Sequence, residues 1–221
     1  ILSGGKFFEY KRQLYWAARK KGSSGGLVLM NGDRGVATSA APEDQTVSTL
    51  KDTSKTWVTN RWAGCVCYIT SDTNKGEYLP IASNTANTLT LTGTWSEACA
   101  IGADGSEYII VGSDYWQTVR VLPVDAAPDI NKPILDVIVS GAVVYFAQGD
   151  DDNIKRMREY NNAGVWTREF AADGTNKAAL LLAAKNPDGG AMSVFRANND
   201  TTKVSIASKE AWGANLTFGT G

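Results

Sequence analysis

The chain has 221 residues, enough to bury one large core or two small ones, and its 22 basic and 23 acidic side chains leave a formal net charge of -1. That balance argues against a dedicated nucleic-acid binder, which carries a basic excess or a basic stripe. Histidine is absent, which removes the commonest general base and the commonest zinc ligand together, and no apolar run approaches the roughly 18–20 residues needed to cross a bilayer.

Strand signals dominate from the start. Two aromatic-rich runs lie between Phe7 and Arg19, and the basic residues around them (Lys6, Lys11, Arg12, Arg19, Lys20 and Lys21) are interrupted at strand spacing. They read as the solvated side of a hairpin rather than as a phosphate-binding surface. Gly22-Ser23-Ser24-Gly25-Gly26 reads as a turn before a strand over Leu27 to Met30. Asp33-Arg34-Gly35 then leads into a Thr- and Ser-rich segment from Val36 to Gly112. Its predicted strands are Gln45 to Leu50, Gly64 to Thr70, Gly76 to Ile81, Thr88 to Thr92 and Tyr108 to Val111. In the fourth, Leu89 and Leu91 alternate with Thr88, Thr90 and Thr92, the pattern of a half-buried strand with threonine on its wet face. Cys65 and Cys67 share one strand face, and Cys99 could pair with either from a neighbouring strand. An odd count without zinc-knuckle spacing makes small buried side chains the expected use of all three.

After Ser113 to Val119 the first texture returns. Val137 to Ala147 is a tight hairpin about Ser140-Gly141, and Ala178 to Ala184 precedes the turn Asn186-Pro187-Asp188-Gly189-Gly190 and a strand over Met192 to Ala197. The runs Leu14 to Ala18, Val144 to Gln148 and Leu180 to Ala184 can be laid over one another, and the second and third end 36 residues apart. Units of about 40 residues with four short strands have the size of propeller blades, whose inner strands are apolar throughout because neighbours cover both faces. Tyr145 and Phe146 should then both be buried, although successive strand residues face opposite ways. The first and second runs end 130 residues apart, far more than one period. The expected organisation is therefore all-β: propeller-like blades at 1–35 and 113–221, with a small barrel or sandwich at 36–112 inserted in a blade loop. Its two ends should be adjacent in space. The opening at Ile1 and the abrupt close at Gly219-Thr220-Gly221 suggest a processed product or an excerpt of a longer polypeptide.

Trp57, Trp62 and Trp95, with Trp116 and Trp166 in the flanking units, are expected to pack in cores and turns, with a sugar-stacking platform as the sharper alternative. Asp150-Asp151-Asp152-Asn153 after Gly149 offers oxygen ligands for calcium, but lacks the alternate positions and distant bidentate acid of a defined loop, so an acidic β-turn is expected. Glycoside hydrolysis needs two facing carboxylates, and the spacing of Asp125, Asp129, Asp136, Glu159 and Glu169 does not converge any pair. Serine elbows, Walker-type loops and dinucleotide fingerprints are absent, and no cofactor is implied.

The run Leu50 to Gly64 contains Asp52-Thr53-Ser54-Lys55-Thr56-Trp57 and Asn60-Arg61-Trp62-Ala63-Gly64, and Ile81-Ala82-Ser83-Asn84-Thr85 leads into Thr88-Leu89-Thr90-Leu91. Together they resemble a β-module common in structural proteins of tailed bacteriophages and other virion-associated proteins, over about 75 residues. The resemblance implies placement in a virion and no chemistry. Two hypotheses follow: a non-enzymatic structural or attachment component of a virus particle, or a carbohydrate-binding or carbohydrate-active propeller protein. The first implies other virion proteins and copies of the chain as partners, with a host-surface glycan as a further one and neither nucleic acid nor membrane.

Overall fold

The computed structural model describes residues 2–20, 26–119, 132–178, 180–185, 192–197, 203–208 and 211–217. They are all-β: the sheets curl, one of them into half a barrel, and no α-helix occurs among the described residues. The predicted turns at 22–26 and 186–190, together with Asp125 and Asp129, lie wholly or largely outside them.

Eighteen strands form four sheets among the described residues. The first sheet holds β1 (Leu2–Tyr10), β2 (Gln13–Lys20), β3 (Gly26–Asn31) and, by sequence far away, β10 (Trp116–Thr118). A six-stranded sheet is built from β4 (Asp33–Val36), β5 (Thr49–Lys51), β6 (Val66–Ile69), β7 (Tyr78–Asn84), β8 (Thr88–Leu91) and β9 (Glu107–Val111), in the order β4-β9-β6-β7-β8-β5. All six therefore fall in the chain between the third and fourth strands of the first sheet. The next sheet runs in chain order through β11 (Asp136–Ser140), β12 (Val143–Ala147), β13 (Gly149–Asn162) and β14 (Val165–Ala178). The last does the same through β15 (Leu180–Lys185), β16 (Met192–Ala197), β17 (Lys203–Ser208) and β18 (Ala211–Thr217).

The chain divides into two compact units. One comprises residues 1–29, 118–158 and 168–221. Its organising strand is β12, buried at all five positions. Tyr145 lies in a cluster with Val143, Ala147, Ile154 and Leu181, while Phe146 meets Phe8 of β1 edge-on at 5.9 Å. Opposite faces of one strand thus meet different neighbours, which is why an uninterrupted apolar run is stable there. Asp136 ties the same neighbours together, accepting from Lys6 of β1 and from the backbone N–H of Leu181 at 2.8 Å. The β1–β2 hairpin closes on Lys11 and Arg12, both left-handed (φ 48 and 64) and exposed, with Tyr10 and Gln13 paired across the turn.

The other unit comprises residues 30–117 with 159–167. It contains the whole of the expected segment 36–112 together with the turn between β13 and β14. Its two ends run side by side: Asp33 pairs with Ile110 and Val36 with Glu107, and Gly32 N donates to Tyr115 O at 3.1 Å. The core gathers Leu50, Cys67, Ile69, Ile81, Leu89, Trp95, Tyr108 and Ile110. Leu89 and Leu91 point inward and Thr90 outward, as the alternation demands.

One predicted strand is mostly not a strand. Of Gln45 to Leu50 only Thr49 and Leu50 belong to a strand, the start of β5, because a 3-10 turn over Pro42–Asp44 precedes it and threonine hydroxyls take the backbone bonds: Thr46 N donates to Thr49 Oγ1 and Ser48 N to Thr46 Oγ1. A second difference concerns Asp150-Asp151-Asp152-Asn153, expected as a turn, whose backbone belongs to β13.

Candidate functional site

Residues 52–65 form a long loop between β5 and β6, pinned by a few buried polar groups. Asp52 is fully buried, and its carboxylate accepts from Ser54 N, Ser54 Oγ, Thr38 Oγ1 and, at 2.7 Å, Tyr108 Oη. Asn84, at the end of β7, accepts from Trp62 N and donates to Val58 O. Such bonds fix a loop that has no ladder of its own.

With the loop so held, Asp33, Ser54, Lys55, Thr56, Trp57, Val58, Arg61, Trp62, Tyr115 and Gln117 line a cleft of about 300 Å³. One wall is organised by Asp33. Its Oδ1 accepts from Arg34 N (2.8 Å), Lys55 Nζ (3.1 Å) and Gln117 Nε2 (3.2 Å), and its Oδ2 from Trp57 Nε1 (2.6 Å). Asp33 therefore neutralises Lys55 and fixes the indole of Trp57, which rests edge-on against Tyr108. The opposite wall is aromatic and cationic. The Arg61 guanidinium lies 4.1 Å from the Tyr115 ring centroid, and Trp62 meets that ring edge-on at 5.8 Å. Arg61 makes no side-chain hydrogen bond or ion pair with another described residue, and the buried indole N–H of Trp62 has no acceptor among them.

The aromatic candidates separate accordingly. Trp57 and Trp62 line the cleft, and Trp95 is buried in the core. Trp116 is half-buried in β10 and is not part of the lining. Trp166 carries the guanidinium of Arg34 at 4.2 Å, and the same guanidinium pairs with Glu159 at 2.7 Å, both partners almost fully buried. The side chains of Asp150, Asp151 and Asp152 lie outside the described set; among the described residues no three acidic, cysteine or histidine side chains gather as a metal site. Cys65, Cys67 and Cys99 are free and buried; burial raises all three thiols, Cys99 to about 11 and Cys67 well above its ordinary value.

Arg61, Tyr115, Gln117 and the role of Asp33 went unread in the sequence. The signal available was topological: if the ends of the middle segment meet, Asp33 must come beside Tyr115 to Gln117.

A scan against protein-family models finds no match to this chain, and searches of the curated proteins and of the solved structures find none either.

Proposed function

We propose that this chain is a non-enzymatic structural or attachment component of a virus particle, with propeller-like blades and a small β-domain inserted in the first of them. The observation that carries the reading is the strand order. Three four-stranded sheets follow one another in the chain, and six strands of a separate sheet interrupt the first of them between its third and fourth strands. Blade repeats with an insertion have this connectivity, and β12, buried on both faces, is what a strand between stacked blades requires. The phrase Asp52 to Gly64 adds the likeness to phage structural modules.

Three blades are fewer than the four to eight of closed propellers. Other parts of a longer chain, other virion proteins or copies of the chain then cover the blade faces left over, and on this reading the protein works by assembly. Two of the carboxylates weighed for hydrolysis are committed to the fold: Asp136 to Lys6 and two backbone N–H groups, Glu159 to Arg34. Attachment, the second half of the reading, is favoured by the cleft, whose aromatic and cationic wall suits a small polar ligand.

The test is mass spectrometry of purified particles together with sedimentation of the isolated chain. Fixed stoichiometry in particles and concentration-dependent association are the expected results. Absence from particles, or hydrolysis of a polysaccharide that is lost on replacing one acidic residue, overturns the reading.

A further inference from the structure

We propose that the cleft between Trp57 and Tyr115 binds a saccharide that carries a carboxylate, such as a uronic acid, with Arg61 receiving the carboxylate. The inference rests on the attachment reading and names its ligand class.

The argument starts from charge. Asp33, Lys55 and Arg61 are the ionisable residues of the lining with a fixed charge, and they sum to one positive charge on a chain that is otherwise slightly acidic. Asp33 and Lys55 neutralise each other. The surplus therefore resides on Arg61, whose planar fork matches a carboxylate bidentately. Its hydrophobic face is already seated on Tyr115, so the guanidinium is held in place while its N–H groups stay uncommitted among the described residues. Little side-chain freedom is then lost when a carboxylate docks.

The rest of the lining selects a sugar over a simple anion. The half-buried indole of Trp57, locked by its bond to Asp33, offers an apolar face to the C–H surface of a pyranose. Gln117, Ser54 and Thr56 provide polar edges for ring hydroxyls. A volume of about 300 Å³ admits one or two sugar units and excludes a folded partner.

The test titrates the full chain with methyl β-glucuronide and methyl β-glucoside, which share a ring and differ at the carboxylate, following tryptophan fluorescence and ligand NMR. The glucuronide should bind about tenfold tighter or more, the difference made by one charge-assisted bidentate contact. Arg61→Gln should abolish the preference and bring the two glycosides to equal affinity. Arg61→Lys should restore part of the preference, and circular dichroism of each variant should match the parent. Equal binding of both glycosides by the parent chain overturns the proposal, as does a preference that survives Arg61→Gln. Sodium acetate competing as well as the glucuronide overturns it too, since the cleft is then a bare anion site. These outcomes are independent of whether the chain is found in particles, which is what decides the attachment reading itself.

Discussion

Glu159→Gln should be among the most damaging conservative substitutions in this protein. Glu159 and Arg34 pair at 2.7 Å with side chains 0 % and 2 % exposed, and arginine cannot lose its charge. At an effective dielectric of about 20 the attraction amounts to about 6 kcal/mol, most of it offset by the water both ions give up. Neutralising the acid alone keeps the second penalty and discards the compensation, so a loss of about 3–5 kcal/mol is expected. Trp166 beneath the guanidinium moderates this only in part, by about 2 kcal/mol at most. With a urea slope of about 2 kcal/mol/M, the midpoint followed by tryptophan fluorescence should fall by roughly 1.5–2.5 M. Arg34→Met with Glu159→Leu, which removes both charges, should recover most of the loss. A cost below about 1 kcal/mol for Glu159→Gln, or a double variant no better than the single ones, would refute the reasoning.

Three further outcomes follow from the same physics. Gly164 has φ 86, and a Cβ there would stand 2.4 Å from Gly102 O, so Gly164→Ala should cost about 2–4 kcal/mol in urea unfolding. Lys11→Asn with Arg12→Gly supplies the residues that a two-residue turn with both φ positive favours, and should raise stability by about 1 kcal/mol, read as a higher melting temperature. Burial raises Tyr108 well above its ordinary value of 10, and Cys67 and Cys99 likewise, so the folded state binds more protons than the unfolded one at alkaline pH. Stability should therefore be fully present below about pH 9 and fall as pH rises beyond it, less steeply in Tyr108→Phe.

Much of the fold was legible because two periodicities were clean. Leu89 and Leu91 against their threonines gave a half-buried strand, and Val143 to Ala147 gave one buried on both faces. Legibility failed where side chains compete with the backbone for its bonds. The hydroxyls of Thr46 and Thr49 satisfy N–H groups locally, so a β-branched run that looks extended closes into a turn. It failed again at Glu159 to Thr167. Nothing local to that hairpin tells that Glu159 meets an arginine 125 residues earlier, or that its glycine packs against Gly102.

The cleft shows why a recognisable phrase is an incomplete guide to a site. In the phrase, Asp52 and the backbone about Asn60 and Gly64 (φ 57 and 83) serve the loop's own geometry, and Asn84 of the second phrase buttons it to β7. These residues specify a shape, and any chain that needs this loop needs them. Arg61 sits in the same phrase at a position that the geometry leaves free, and its partners Tyr115 and Asp33 lie outside the phrase altogether. On the saccharide proposal, recognition in this chain falls to Arg61, between the structural residues, and to Asp33 and Tyr115 at the two ends of the segment. Changing Arg61 or Tyr115 should alter what is bound while the loop keeps its shape, whereas changing Asp52 should undo the loop and the cleft with it.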